Sequence, residues 1–141
     1  MKRNASAVWQ GNLKQGKGTV STASGVLSGT QYSFSTRFEN GAGTNPEELL
    51  AAAHAGCFAM ALSAQLGEAG LTAERIDATA TVTLEKTPAG FAITESHLEV
   101  KARIPGADPA AFEKAANNAK AGCPVSKLFH TNITMNAALE A

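Results

Sequence analysis

The segment Thr44-Asn45-Pro46-Glu47-Glu48-Leu49-Leu50-Ala51-Ala52-Ala53-His54-Ala55-Gly56-Cys57-Phe58-Ala59-Met60-Ala61-Leu62 sets the architecture. Asn45 suits an N-cap, Pro46 suits the first helical position, and Glu47 and Glu48 complement the positive end of the helix dipole. These residues predict a helix from Pro46 to about Glu68, closed by Gly70. From Leu49 to Gly67 it carries no Lys, Arg, Asp or Glu. A helix apolar all round is a buried one. The expectation is therefore a central helix, part of which faces a second copy of the chain.

On the N-terminal side, residues 6 to 38 read as short strands joined by glycine turns. Val8-Trp9-Gln10 begins the first, and Gly16 and Gly18 mark the turn into Thr19-Val20-Ser21-Thr22. Tyr32 to Phe38 alternates, with Tyr32, Phe34, Thr36 and Phe38 on one face and Arg37 on the other, which predicts a strand. On the C-terminal side, Ile76, Ala78, Ala80, Val82 and Leu84 form the inward face of another strand. Phe91 and Ile93 open the next, and Leu98, Val100, Ala102 and Ile104 continue it in the opposite parity, which predicts a bulge near Glu95-Ser96. Asp108-Pro109 starts a second helix with Phe112, Ala115, Ala116 and Ala119 on its apolar face, and Gly122 ends it. Pro124 suggests a short helical turn to Phe129, and Ile133 to Leu139 alternates as a last strand. The order is α+β, read as antiparallel hairpins without βαβ crossovers, in a single domain over residues 1–141.

Composition narrows the function. Twelve basic residues balance twelve acidic ones in 141 residues, and charged residues make up 17%. No basic excess exists to neutralise phosphates, which argues against a nucleic-acid partner. No uninterrupted apolar run reaches the ~18 residues of a membrane span. Met1-Lys2-Arg3-Asn4 leads into no secretory h-region, so a cytoplasmic location is expected. The 28 alanines against eight aromatics imply a thin core, which oligomerisation would thicken.

The chemistry-bearing residues are few. Cys57 and Cys123 follow the same dipeptide, Ala-Gly, and form no Cys-x-x-Cys pair. With His54, His97 and His130 they offer no zinc-ligand spacing, and no metal or other cofactor is expected. Cys57 can be read simply as a small hydrophobe in a buried helix. Cys123 lies between a helix-ending glycine and a helix-starting proline, an N-cap position that favours a thiolate. His54, one turn before Cys57, can be a base or, more commonly, a buried hydrogen-bonded histidine. Glu47 and Arg37, each taken alone, read as a first-turn carboxylate and a solvated strand residue.

Together these residues resemble a known family. Thr36-Arg37-Phe38, Thr44 to Leu49, Ala52-Ala53-His54-Ala55-Gly56-Cys57-Phe58 and Ala121-Gly122-Cys123-Pro124-Val125-Ser126 are similar to the OsmC/Ohr family of hydroperoxide reductases. Lys17 to Thr22, Ser24-Gly25-Val26-Leu27 and Ala89 to Thr94 resemble its OsmC branch. The resemblance implies antiparallel sheets wrapped around a long central helix, in an intertwined homodimer with its sites at the subunit interface. It implies a thiol peroxidase for organic hydroperoxides, with Cys57 peroxidatic, Cys123 resolving, Arg37 and Glu47 around the reactive sulfur, and a lipoyl-type dithiol as reductant. A role for His54 is not carried over.

Those roles fit the chemistry. The attacking species is a thiolate, and a guanidinium can offset the desolvation of an anionic sulfur. Glu47 and Cys57 lie ten residues apart on one expected helix, about 15 Å at 1.5 Å per residue. An unbroken helix would then require the Glu47 near a given Cys57 to come from the other subunit, or to act only through a loop-held position. Two other readings use the same residues differently: a non-catalytic stress-response module that binds an apolar ligand, and a redox sensor that oxidises once without turnover.

Overall fold

The structure is a computed structural model that describes residues 1–140. It contains β1 (Ala5–Gln10), β2 (Lys17–Thr22), β3 (Thr30–Tyr32), α1 (Phe34–Phe38), α2 (Pro46–Glu68), β4 (Arg75–Thr87), β5 (Gly90–Arg103), α3 (Pro109–Gly122), α4 (Pro124–Leu128) and β6 (Asn132–Glu140). The chain forms two compact units, Met1–Leu49 and the residues from Leu50 onward.

The first unit holds an antiparallel sheet in the order β1-β2-β3. Gly18 is the second residue of β2, inside the strand and not in a turn, and stands between Trp9 and Tyr32 in register. A Cβ there would come within 2.4 Å of the Tyr32 ring and 2.7 Å of the Trp9 ring. The missing side chain lets the two rings approach to 5.6 Å across the middle strand.

The strand expected over Tyr32–Phe38 ends at Tyr32, and Phe34–Phe38 is helix α1. Ser33 caps it. Its Oγ accepts from the Thr36 N–H at 3.3 Å, and the Thr36 hydroxyl accepts from the Ser33 N–H at 2.8 Å. This reciprocal pair satisfies donors that a strand would have left to a neighbour. The alternating pattern misleads because residues four apart share a face under both the strand and the helix period. Phe34 and Phe38 meet with ring centroids 4.8 Å apart.

The second unit holds a sheet in the order β4-β5-β6. β4 and β5 form a long antiparallel hairpin. Thr83 pairs with Glu95 and Leu84 with Ile93, so Thr94 is the extra residue of a bulge next to the expected position. β6 pairs with β5 in parallel, which corrects the expectation of hairpins alone. Parallel neighbours need a crossover connection, and α3 and α4 supply it.

Helix α2 has the expected bounds. The Asn45 side chain accepts from the Glu48 N–H at 2.8 Å. At the other end Gly70 takes φ +75°, and the Leu71 N–H reaches back to the Leu66 carbonyl at 2.8 Å. This is a glycine C-cap that a side chain would strain. Within the single chain α2 is buried along one stripe only. His54, Phe58, Leu62 and Leu66, at spacing four, are fully buried, whereas Met60 is 78% exposed and Ala52, Ala53, Gly56 and Ala64 are exposed too. One helix presents only one stripe to one sheet. By length and mean hydropathy α2 could cross a membrane, a test that a core helix also passes. Its buried stripe instead joins Leu98, Val100, Ala102 and Ile104 of β5 and Phe112, Ala115, Ala116 and Ala119 of α3 in the core of the second unit.

Leu62 sits at the centre of that stripe. Leu62→Ala should cost about 2–5 kcal/mol of folding stability, read as a lower urea midpoint with an unchanged slope. A loss well under 1 kcal/mol would mean that the site collapses around the deletion or that the stripe is not the core.

Candidate active site

In the first unit, Arg37 lies in the last turn of α1 and Glu47 in the first turn of α2. The Arg37 guanidinium donates to the Glu47 carboxylate from Nε at 3.0 Å and from Nη2 at 2.8 Å. Both bonds end on Oε1, and Nε also reaches Oε2 at 3.3 Å, which together hold the guanidinium plane against the carboxylate. The Glu47 side chain is 10% exposed and that of Arg37 38%, so the carboxylate is anchored and the cation keeps an open side. Arg37 also lies over the Phe38 ring, 5.3 Å from its centroid. The Asn45 side chain donates to the Thr36 carbonyl at 2.9 Å, which ties the end of α1 to the start of α2.

The second unit brings together the two cysteines, 66 positions apart in sequence. Both are free thiols; Cys123 is buried and Cys57 half-buried. Cys57 packs against the core cluster that contains Cys123, and the two thiols lie close enough to interact. Burial pushes the Cys57 thiol above its ordinary value; a backbone hydrogen bond from Val125 works against this, and the adjacent Cys123 adds to it. Cys123 is the N-cap of α4, as its place between Gly122 and Pro124 suggested. Its sulfur accepts from the Ser126 N–H at 3.3 Å and its thiol donates to the Ser126 hydroxyl at 3.1 Å.

His54 is fully buried, and both its ring nitrogens are occupied. Nδ1 lies 2.6 Å from the Ser96 hydroxyl and Nε2 lies 2.8 Å from the Ser126 hydroxyl. Phe129 packs edge-on against the imidazole at 5.0 Å. Burial lowers the His54 pKa below its ordinary 6.5, so the ring is neutral at neutral pH. Sequence reasoning missed Ser96 and Ser126 as its partners. Ser126 stands in the quoted Cys123–Ser126 motif, but the motif does not say what its hydroxyl touches. Ser96 carries no signal beyond its place beside the bulge.

Comparison with known proteins identifies the family. The family model described as OsmC-like protein matches residues 39–138. The chain belongs to the OsmC-like family. It is 52% identical over 139 residues to Peroxiredoxin OsmC of Escherichia coli (strain K12), covering 99% of this chain and 97% of that protein. It is 32% identical over 100 residues to the Organic hydroperoxide resistance protein of Xanthomonas axonopodis pv. citri (strain 306), covering 70% and 68% of the two chains. Among solved structures, the organic hydroperoxide resistance protein OhrB of Bacillus subtilis superposes with TM-score 0.71 at 26% identity, covering 97% of this chain and 98% of that one. The mixed α+β arrangement of two sheets and a long helix is thus the fold of the OsmC-like family.

Because folding holds His54 neutral, the unfolded chain takes up a proton below pH 6.5 that the folded chain refuses. This contribution favours unfolding as pH falls through that range and vanishes above it. In urea titrations between about pH 7 and pH 5, stability should fall less steeply for His54→Gln than for the unaltered chain. Equal slopes would mean that the buried site accepts an imidazolium.

Proposed function

We propose that this OsmC-like chain is a thiol-dependent peroxidase that reduces organic hydroperoxides to alcohols. The observation that carries the reading is the adjacency of Cys57 and Cys123 in a chain so similar to a protein named as a peroxiredoxin. The half-exposed Cys57 is the attacking sulfur and the buried Cys123 the resolving one. The Cys57 thiolate attacks a peroxide oxygen, the O–O bond breaks, and the alkoxide leaves and takes up a proton. The product is a Cys57 sulfenic acid. The Cys123 sulfur displaces water from it to form a disulfide, which protects Cys57 from further oxidation. A dithiol, of which a lipoyl group is one type, restores both thiols by exchange.

Arg37 and Glu47 complete the proposed site. A thiol whose pKa burial has raised needs a cation to ionise, and a guanidinium stays charged through the cycle. Helix α2 is continuous from Pro46 to Glu68, and ten residues of helix account for about 15 Å of rise. The Glu47-bound Arg37 that serves a given Cys57 therefore belongs to the second subunit of a homodimer. The exposed small-residue face of α2 supports such pairing, since small side chains let another surface approach closely.

Two measurements test this reading. One equivalent of cumene hydroperoxide should consume both thiols, and excess peroxide with dihydrolipoamide should give many turnovers. Cys57→Ser should abolish turnover, and Cys123→Ser should accumulate a trappable sulfenic acid at Cys57. A single oxidation without turnover would make the protein a sensor. For the shared site, inactive Glu47→Ala and Cys57→Ser chains should be unfolded together and refolded. A two-fold dimer with sites built from both chains regains about a quarter of full activity, because half the dimers are mixed and each has one intact site. No recovery would place both residues of a site in one chain.

A further inference from the structure

His54, Ser96 and Ser126 have no part in the chemistry so far, yet their hydrogen bonds run to a reacting atom. We propose that Ser126 and His54 form a proton path for the resolving thiol, with Ser126 as the catalytic group that receives the Cys123 proton and His54 as the residue that positions Ser126 and holds the displaced proton. This inference rests on the peroxidase reading and assigns residues to its second step.

The geometry points to it through donor and acceptor counting. The Cys123 thiol donates to the Ser126 oxygen at 3.1 Å. A serine hydroxyl has one proton to give, and the other contact of this oxygen is His54 Nε2 at 2.8 Å. Giving that proton to Nε2 satisfies every donor in the chain; it places the imidazole proton on Nδ1, donated to the Ser96 hydroxyl at 2.6 Å. All the bonds therefore run in one direction, from Cys123 through Ser126 and His54 to Ser96. A neutral imidazole is required for this order, and burial keeps His54 neutral.

A buried histidine satisfied by two hydroxyls can be mere core structure. Ser126 also contacts Cys123, however, and Cys123 is next to Cys57. The step balances without any further reactant. The Cys123 sulfur attacks the sulfur of the Cys57 sulfenic acid; the S–S bond forms, the S–O bond breaks, and hydroxide leaves with the electron pair. The Cys123 proton moves to the Ser126 oxygen as the Ser126 proton moves to Nε2. The resulting imidazolium is costly in so apolar a setting, so the Nε2 proton returns to the Ser126 oxygen as the Ser126 hydroxyl gives its proton to the leaving hydroxide, which departs as water. Cys57–SOH and Cys123–SH become the disulfide and one water. Ser96 accepts from Nδ1 throughout and holds the ring plane.

The test separates the two chemical steps in the full-length protein. One equivalent of cumene hydroperoxide is added, and samples are quenched with a dimedone probe and a maleimide for mass spectrometry. This reads Cys57 sulfenic acid and the disulfide as functions of time. Sulfenic acid formation should be nearly unchanged in Ser126→Ala and His54→Gln, whereas disulfide closure should slow about 10- to 100-fold. Ser126→Thr keeps the hydroxyl and should recover most of that loss. Gln at position 54 can hydrogen-bond but cannot hold the proton, so its slow closure would not follow from packing alone. Closure in the unaltered chain should be slower in D2O, and this sensitivity should shrink in His54→Gln. Closure at the unaltered rate in both variants overturns the proposal. So does equal slowing of both steps, which would mark general damage to the fold. Absence of any sulfenic acid or disulfide in the unaltered chain would instead overturn the peroxidase reading itself.

Discussion

A polar ring without solvent must find partners inside the protein, and His54 finds two. Leaving either nitrogen unpaired would cost about 1–3 kcal/mol. Its partners lie on different elements: Ser96 on β5 and Ser126 on α4, while His54 itself belongs to α2. One imidazole thus ties the long helix to the sheet and to the short helix that begins at Cys123. The same serine that satisfies the ring also touches the Cys123 sulfur. The requirement for internal pairing therefore fixes where the second thiol sits. Phe58, Leu62 and Leu66 continue this attachment along α2 with apolar contacts, so the polar anchor and the hydrophobic stripe share one face.

In the proposed mechanism the two halves of the chemistry are prepared in different ways. Arg37 and Glu47 form a two-pronged ion pair in which the carboxylate is almost buried and the guanidinium keeps an open side. Such a pair presents a fixed positive charge without further reorganisation, as stabilising an anion demands. The thiols are prepared by burial, which opposes ionisation of Cys57 at rest. In the proposed dimer, assembly itself would complete the site.

Much of this was legible from residue order. The start and end of α2 follow from Asn45, Pro46 and Gly70, because caps are local and depend on a few neighbouring atoms. The same holds for Asp108 before α3 and for Cys123 before α4. The bulge beside Glu95 was readable because an extra residue switches side-chain parity. The stretch Phe34–Phe38 was not, since a period of two and a contact at four coincide over five residues, and the Ser33–Thr36 cap decided in favour of helix. The parallel pairing of β6 was hidden as well. Strand order depends on where a crossover returns the chain, and no local pattern records that.

Residue order by itself determined most of the elements and their caps, the chemical identity of the thiols and the balance of charge that argues against a nucleic-acid partner. Those follow from short-range sterics, hydrogen bonding and composition. Only the tertiary structure decided that Cys57 and Cys123 are neighbours, that Arg37 holds Glu47, and that His54 lies between Ser96 and Ser126. These contacts join residues 10 to 72 positions apart, counting from the hydrogen-bonded pairs. They exist because burial of one helical stripe forces distant segments together, and a linear pattern carries no record of which polar atoms then come within reach.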